Sequence, residues 1–174
     1  MWSLFISGGL NNTPSTFANQ ERKEMMNERQ KQSNAAMNKE IARKFYERIA
    51  NKQYDRLFEL CDENFVYYPQ VHTRLEGLQA FIDYERANMD PAGDFKMKVE
   101  RIAADGDFVA VYLTFEGTLL GNSWHGVPTP KKHIMMDFMT WLTFNKEGKI
   151  IEKRAKYDRY DIFKQLGVTN LPLK

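Results

Sequence analysis

The carboxylate best placed for proton transfer is Asp158, which stands at the carboxyl end of the last predicted strand, beside Tyr157 and Tyr160. A carboxyl group at the mouth of an aromatic-lined cavity can have its pKa raised by desolvation, and it can then act as a general acid or base. Asp is also a preferred N-cap, so Asp158 could instead cap the helix predicted to follow it. The local pattern leaves both roles open.

Asp137 and a group of aromatic residues are candidates for lining such a cavity. Asp137 lies within the apolar run at residues 134–144, where a charge without a partner would be costly to bury. It faces water, pairs with a basic side chain of a neighbouring strand, or faces the cavity. The other candidate lining residues, each of which could equally be packed in the core, are Tyr46, Tyr68, His72, Trp124 and Trp141.

Other kinds of chemistry have little support in the sequence. His72, His125 and His133 lack the HxH or HxxxH spacing with which one element presents two ligands to a metal, so we predict no metal site. Cys61 lies on the apolar face of a predicted helix, which is typical of a small core residue rather than a nucleophile. The sequence also lacks dinucleotide-binding, P-loop and serine-hydrolase motifs.

Length and charge exclude further classes. The chain has 174 residues, enough for one ordinary domain with a core and a small-molecule cavity. Its formal net charge of +2 is far from the basic excess that a nucleic-acid partner requires. No stretch approaches the ~18 apolar residues of a membrane span, so we expect no membrane partner. The single cysteine fits a reducing, cytoplasmic compartment.

Helical periodicity predicts three helices in the first part of the chain. The first begins at Asn38, a plausible N-cap; the second lies near residues 53–61, and the third runs from Gly77 to a break at residues 90–93. Residues 1–36 are rich in Asn, Gln and charge and poor in large apolar residues. We therefore predict that they form an N-terminal extension, partly disordered or helical, ahead of a domain at residues 37–174.

After Gly93 the apolar period changes to two, which indicates antiparallel strands with one wet face. Strands are predicted at residues 95–100, 108–115, 133–144 and 149–157, in addition to a short strand at 65–68. A loop separates two of them at residues 117–132, and a helix around 161–166 ends at Gly167. This order specifies an α+β fold in which three N-terminal helices pack on a curved, mainly antiparallel sheet.

The segment GKIIEKRAKYDRYDIFKQLG resembles the end of the SnoaL-like polyketide cyclase family, in which a strand of the form GKI-x-E leads to an Asp, an apolar pair and Q-L-G. Weaker similarity in earlier segments extends the resemblance to about residues 38–167. The chain departs from the family at Arg154 and Ala155, where members often carry an aromatic residue followed by a polar one. The matching residues are Gly148, Lys149, Ile150, Glu152, Asp158, Ile162, Phe163, Gln165, Leu166 and Gly167.

The resemblance implies the cone-shaped α+β fold shared with nuclear transport factor 2, ketosteroid isomerase and scytalone dehydratase. It also implies that Asp158 is the general acid and base of an intramolecular aldol closure, that no metal or organic cofactor takes part, and that the protein is a homodimer. We therefore expect a cofactor-independent lyase or isomerase that acts on a small hydrophobic carbonyl compound. The alternative is a non-catalytic module of the same fold that binds a small ligand or a protein.

Overall fold

The computed structural model describes residues 14–70, 73–90, 92, 94–121, 123–124, 127–128 and 130–168. Its helices are α1 (Pro14–Ala50), α2 (Leu78–Met89) and α3 (Arg159–Leu166), with a 3-10 helix at Tyr54–Glu59. Its strands are β1 (Cys61–Gln70), β2 (Thr73–Glu76), β3 (Lys96–Asp105), β4 (Phe108–Leu120), β5 (Ser123–Trp124), β6 (Val127–Pro128), β7 (Lys131–Phe144) and β8 (Ile150–Tyr157).

The α+β architecture expected from the sequence is confirmed. Six of the described strands form one curved open sheet in the order β2-β1-β8-β7-β4-β3. Within it β1 and β8 run parallel, and the other neighbours are antiparallel. Strands β5 and β6 form a separate hairpin. The buried core lies between the helices and the concave face of the main sheet.

Helix α1 begins well before the predicted N-cap at Asn38, because the polar segment ahead of that residue is helical as well. Asn38 lies inside the helix, and its buried side chain donates a 2.9 Å hydrogen bond to the carbonyl of Gly106. The side chains of residues 16–34 are exposed, whereas Phe45 and Ile49 are fully buried. The change of pattern at Asn38 thus marks where the helix reaches the core. No described helix, α1 included, is long and apolar enough to span a membrane.

A 3-10 helix replaces the second predicted helix, with Tyr54 and Leu57 as its buried residues. Cys61 follows it as the first residue of β1, and not as part of a helix. Its side chain is buried in the core, and this burial is the main cause that raises the pKa of the thiol to about 12. The thiol is therefore protonated at neutral pH and unsuited to act as a nucleophile.

Strands β4 and β7 extend into both ends of the loop predicted at residues 117–132. Their ladder continues through Gly117 as far as Leu120, which lies opposite Lys131. In the sequence, Gly117 suggests that the strand ends there. In the structure the strand continues, and the glycine is explained by packing. A Cβ on this residue would lie 3.4 Å from the Cα of Phe95, so the glycine allows another segment to cross the strand closely.

Strand β7 shows how the two faces of the sheet differ. Ile134, Phe138 and Leu142 are buried on the concave face. Met135 and Met139, on the convex face, are 60% and 48% exposed. Side chains that point alternately to core and solvent are what the two-residue period predicts. The same alternation decides which side chains can reach a pocket on the concave face.

Candidate functional site

A pocket opens on the concave face, between the carboxyl half of α2 and the main sheet. It has an empty volume of about 620 Å³, which includes space open to solvent, and most of its lining is apolar or aromatic. Helix α2 contributes residues about one turn apart, and β8 contributes every second residue. The lining residues are Tyr67, Tyr84, Glu85, Asn88, Met89, Met97, Phe115, Leu119, Ile134, Met136, Phe138, Lys153, Ala155 and Tyr157.

Glu85 and Lys153 are the two charged residues of this lining. Lys153 Nζ lies 3.0 Å from Glu85 Oε1, and the side chains are 4% and 3% exposed, respectively. Glu85 belongs to the buried face of α2, while Lys153 occupies a buried position of β8. A charge is expensive to bury unless an opposite charge accompanies it, so each of these residues requires the other.

Aromatic rings surround the ammonium group of Lys153. Its Nζ lies 4.7 Å from the ring centroids of both Tyr67 and Phe81, and 5.7 Å from those of Phe45 and Tyr46. The negative faces of aromatic rings attract a cation at such distances. The rings and the Glu85 carboxylate together stabilise a positive charge in the wall of an apolar pocket.

Two tyrosines of the lining, Tyr67 and Tyr84, keep their hydroxyl protons at neutral pH. Burial is the main cause that raises the pKa of Tyr84 and that raises the pKa of Tyr67 well above its ordinary value. Tyr157 supplies a further hydroxyl group to the same lining. The lining therefore offers neutral hydroxyl groups beside the ion pair.

This arrangement can support proton transfer at a carbon atom. A carboxylate close to an acidic C–H group can accept its proton, and an ammonium beside the neighbouring oxygen stabilises the negative charge that develops there. Both effects are stronger in an apolar environment, where charges interact at a low effective dielectric constant.

Asp158, the predicted general acid or base, is exposed and lies outside the lining. Its Oδ1 accepts hydrogen bonds from the backbone N–H groups of Tyr160, at 2.8 Å, and Asp161, at 3.1 Å. Asp158 is thus the N-cap of α3, one of the two roles that the sequence left open. The acid–base role that the resemblance assigns to it stays a prediction.

Two of the expected lining residues, Asp137 and Trp141, lie on the convex face. The buried residues of β7 between 134 and 144 have even numbers, so these two side chains point the other way. Asp137 is exposed, and its Oδ2 accepts a 2.8 Å hydrogen bond from the hydroxyl of Tyr112. Its carboxylate therefore remains in contact with water. The expectation that Asp137 and Trp141 line the pocket is wrong, because neither side chain reaches the concave face.

The other expected lining residues lie in several places. Tyr46 is buried in the core, where its hydroxyl is hydrogen-bonded to that of Thr140. The ring of Tyr68 packs against the guanidinium of Arg154, whose Cζ lies 3.9 Å from the ring centroid. His72 lies outside the described residues, and only the backbone of Trp124 is described, in β5.

The described residues contain no group of three or more His, Cys, Asp or Glu side chains placed to hold a metal ion. Of the three histidines in the sequence, His133 lies among the described residues. Its Nδ1 is 3.5 Å from a carboxylate oxygen of Asp94. His72 and His125 lie outside the described residues.

Glu85 and Lys153 were not among the residues predicted from the sequence, although a signal for both exists. Glu85 recurs at helical spacing with three apolar residues of α2, so it is a charged residue on an apolar face. Lys153 alternates with Ala155 on the last strand and shares its inward side. Opposite charges on two apolar faces that pack together indicate a buried ion pair.

Residues 40–166 match the sequence profile of the SnoaL-like polyketide cyclase family. The match covers most of the chain and includes every strand of the main sheet together with α2 and α3. It confirms the resemblance seen in the C-terminal segment. No curated protein matches the sequence.

Solved structures share this fold at low sequence identity. A proposed SnoaL-like polyketide cyclase from Jannaschia sp. CCS1 is 18% identical with a TM-score of 0.70, over 79% of this chain and 96% of that one. An LEH-like epoxide hydrolase from M. tuberculosis is 20% identical with a TM-score of 0.61, over 76% and 90%. AclR, a proposed hydroxylase from Streptomyces galilaeus, is 17% identical with a TM-score of 0.66, over 78% and 99%. These similarities show the fold, and the three names refer to different reactions.

Proposed function

The chain belongs to the SnoaL-like polyketide cyclase family, and we propose that it is a lyase- or isomerase-type enzyme acting without a cofactor on a small hydrophobic carbonyl compound. The compound binds in the concave-face pocket with its carbonyl oxygen beside Lys153. Glu85 accepts a proton from the carbon next to the carbonyl group. The observation that carries this proposal is the buried Glu85–Lys153 ion pair in the lining of an otherwise apolar pocket.

The proposed reaction begins when a proton moves from carbon to the Glu85 carboxylate. The C–H bond breaks, its electron pair forms an enolate, and negative charge develops on the oxygen beside Lys153 Nζ. Because Glu85 Oε1 and Lys153 Nζ are 3.0 Å apart, both can contact neighbouring atoms of one carbonyl compound. Return of the proton to a different carbon isomerises the compound. Alternatively, the enolate carbon attacks a second carbonyl of the same molecule and closes a ring in an aldol-type cyclisation. The oxygen of that second carbonyl becomes an alkoxide, which takes the proton back from Glu85 and leaves a hydroxyl group.

Asp158 is the other candidate for the proton acceptor, since the family resemblance assigns it that role. Its position favours Glu85 instead, because Asp158 is exposed and its Oδ1 already accepts two backbone hydrogen bonds. Among the described lining residues, the carboxylate is Glu85.

Proton exchange in heavy water tests this assignment. A panel of small aryl and alkyl ketones is incubated with the protein, and the loss of their α-proton signals is followed by NMR. We expect the protein to accelerate exchange, Glu85→Gln to reduce the acceleration about 100-fold or more, and Asp158→Asn to retain it. The reverse order of the two variants, with both shown to be folded by thermal unfolding, would assign proton transfer to Asp158.

A non-catalytic ligand-binding module is the second candidate function. It is favoured by the fact that Glu85 already neutralises the Lys153 ammonium, which aromatic rings also surround. A purely structural ion pair is stabilised in the same way. Ketones that bind in the pocket without faster exchange of their α-protons would place the protein in this class.

A further inference from the structure

Asn88 brings a side-chain amide to the lining of the concave-face pocket. The residue is half-buried, and it follows Glu85 by three positions on α2. Residues three apart on a helix are neighbours on one face, with Cβ atoms about 5–6 Å apart. The amide therefore lies one helical turn from Glu85, along the same wall of the pocket.

One hydrogen bond orients this amide. Asn88 Nδ2 donates a 2.7 Å hydrogen bond to the backbone carbonyl of Tyr84, four residues earlier in α2. The bond directs Nδ2 towards the helix and leaves Oδ1 for a different partner. Among the residues that the structure describes, none donates a hydrogen bond to Oδ1. Because an amide oxygen can accept two hydrogen bonds, Asn88 offers an acceptor to a molecule in the pocket.

The strands on the far side of the pocket offer no such group. A ligand hydroxyl placed against their apolar side chains would lose its hydrogen bonds with water and gain none, which is costly. Placed against α2, the same hydroxyl can donate to Asn88 Oδ1. The polar groups of a ligand are therefore favoured along α2. The residues that β3, β4 and β7 contribute to the described lining are Met97, Phe115, Leu119, Ile134, Met136 and Phe138.

We propose that Asn88 accepts a hydrogen bond from a hydroxyl group of the ligand, so that the pocket prefers hydroxyketones to ketones without a hydroxyl. This inference rests on the proposed function, because it assumes that the carbonyl group of the same ligand lies at Glu85 and Lys153. The one-turn separation of Glu85 and Asn88 favours a hydroxyl several bonds from the carbonyl, as at the meta or para position of an aryl ketone. Asn88 determines specificity by holding this end of the substrate, and it takes no part in the proton transfer.

Matched aryl ketones test the proposal. The meta and para hydroxyacetophenones are compared with their fluoro analogues by calorimetric titration of the full chain, at a slightly acidic pH where the phenols keep their protons. Fluorine is small and cannot donate a hydrogen bond, so the fluoro analogues control for substitution of the ring. We expect at least one hydroxy compound to bind about fivefold or more tightly than its fluoro analogue.

Two variants separate the role of Asn88 in the pocket from its contact within the helix. Asn88→Leu removes the acceptor from the lining, so it should abolish the preference for the hydroxy compound and leave binding of the fluoro analogue largely unchanged. Asn51→Leu is the matched control, because Asn51 Nδ2 also donates to the carbonyl four residues earlier, that of Glu47, at 2.9 Å. Asn51 is exposed and lies outside the lining, so this variant should bind both compounds like the wild type.

Equal affinity of the wild type for the hydroxy and fluoro compounds would overturn the assignment of Asn88, and so would a preference that survives Asn88→Leu. Either result leaves the proposed function standing if the ketones bind and their α-protons exchange in heavy water. Binding of none of these compounds would overturn both proposals. If Asn88→Leu fails to fold, Asn88→Ala decides, because alanine also lacks the acceptor and is a strong helix former.

Discussion

Glu85 and Lys153 are the residues on which the proposed chemistry depends, and their burial is costly. Taking a carboxylate and an ammonium out of water is compensated here by direct contact at 3.0 Å and by the aromatic rings around Lys153. Apolar residues of similar volume are often no less stable at such positions. A contribution to stability therefore does not by itself explain the pair, and we propose that its role lies in the pocket.

Removal of one partner should destabilise the protein more than removal of both. Glu85→Gln or Lys153→Met leaves a buried charge or polar group uncompensated, and each is expected to lower the free energy of unfolding by about 3 kcal/mol. The double variant Glu85→Leu with Lys153→Met should recover most of this loss. Denaturant unfolding measures all three. Single variants as stable as the wild type would show that water reaches the pair.

The same pair shows where residue-level prediction succeeds and fails. The local sequence leaves two roles open for Asp158 and a few for Asp137, because these roles depend mainly on nearby residues. In the structure Asp158 is an N-cap and Asp137 is exposed, and each was among the expected alternatives. Glu85 and Lys153 are 68 residues apart, and their contact depends on how α2 packs on β8. A single sequence does not determine that packing. It therefore indicates that each charge lies on an apolar face, but not that the two side chains contact each other.

Helix α3 depends on its cap. Asp158 accepts two backbone hydrogen bonds at the start of the helix, and Gly167 ends it in the left-handed conformation, with φ of 76°. We expect Asp158→Ala to reduce the free energy of unfolding by about 1 kcal/mol and Asp158→Asn to reduce it much less, because Asn caps nearly as well. Thermal or denaturant unfolding distinguishes them. Equal stability of wild type and Asp158→Ala would contradict the capping role.

Asp94 joins the segment after α2 to strand β4. Its carboxylate accepts hydrogen bonds from Thr118 Oγ1 at 2.5 Å and from Thr118 N at 2.7 Å, and these bonds lower its pKa to about 2. Because the pKa in the folded state is below the ordinary value of 3.8, the contact stabilises the fold above that pH and is lost as the pH falls towards 2. Thr118→Val should raise the pKa of Asp94 part of the way back, as measured by NMR titration.

Thr114→Val provides the control for this titration. It removes the hydroxyl that donates a 2.9 Å hydrogen bond to Glu100 on β3, at another point of the same strand pair. The pKa of Asp94 should stay low in this variant. A pKa of Asp94 that does not move in Thr118→Val would show that other groups lower it.

Element prediction worked where the apolar period was regular and failed at boundaries set by other elements. The alternation after Gly93 and at residues 133–144 predicts β3 and β7. The sequence does not reveal the start of α1, because an exposed helix has no apolar stripe. It also does not reveal the end of β4, because Gly117 allows the close approach of Phe95, a contact between segments distant in the chain.

Considered as a whole, the molecule exposes large apolar side chains on the convex face of its sheet. Phe108, Met135 and Met139 are 42%, 60% and 48% exposed. Large apolar side chains on an exposed face are typical of association sites, and we propose that a second copy of the chain covers this face. Light scattering at micromolar concentration should give a dimer, and Met139→Glu should weaken it. A monomeric wild type would remove this proposal.

The overall architecture was predictable because helices followed by antiparallel strands leave few ways to cover one face of a sheet. The sequence indicates that a pocket lies on the concave side of the sheet, but it does not indicate which residues line that pocket. The lining depends on which residues of β7 and β8 point inward and on how far α2 stands from the sheet. Both follow from register and packing, which a single sequence does not determine.

Binding of a small ketone at the methionines of the pocket is the most direct test of the proposed site. Met89, Met97 and Met136 belong to the lining, whereas Met25 and Met26 lie on the exposed part of α1, so methyl-labelled methionines report on both places at once. In an NMR titration with aryl ketones, we predict saturable shifts of the three pocket methyl signals and no shift of the two on α1. Pocket signals that no ketone shifts, or shifts confined to methionines outside the pocket, would contradict the proposal that the concave-face pocket is the binding site.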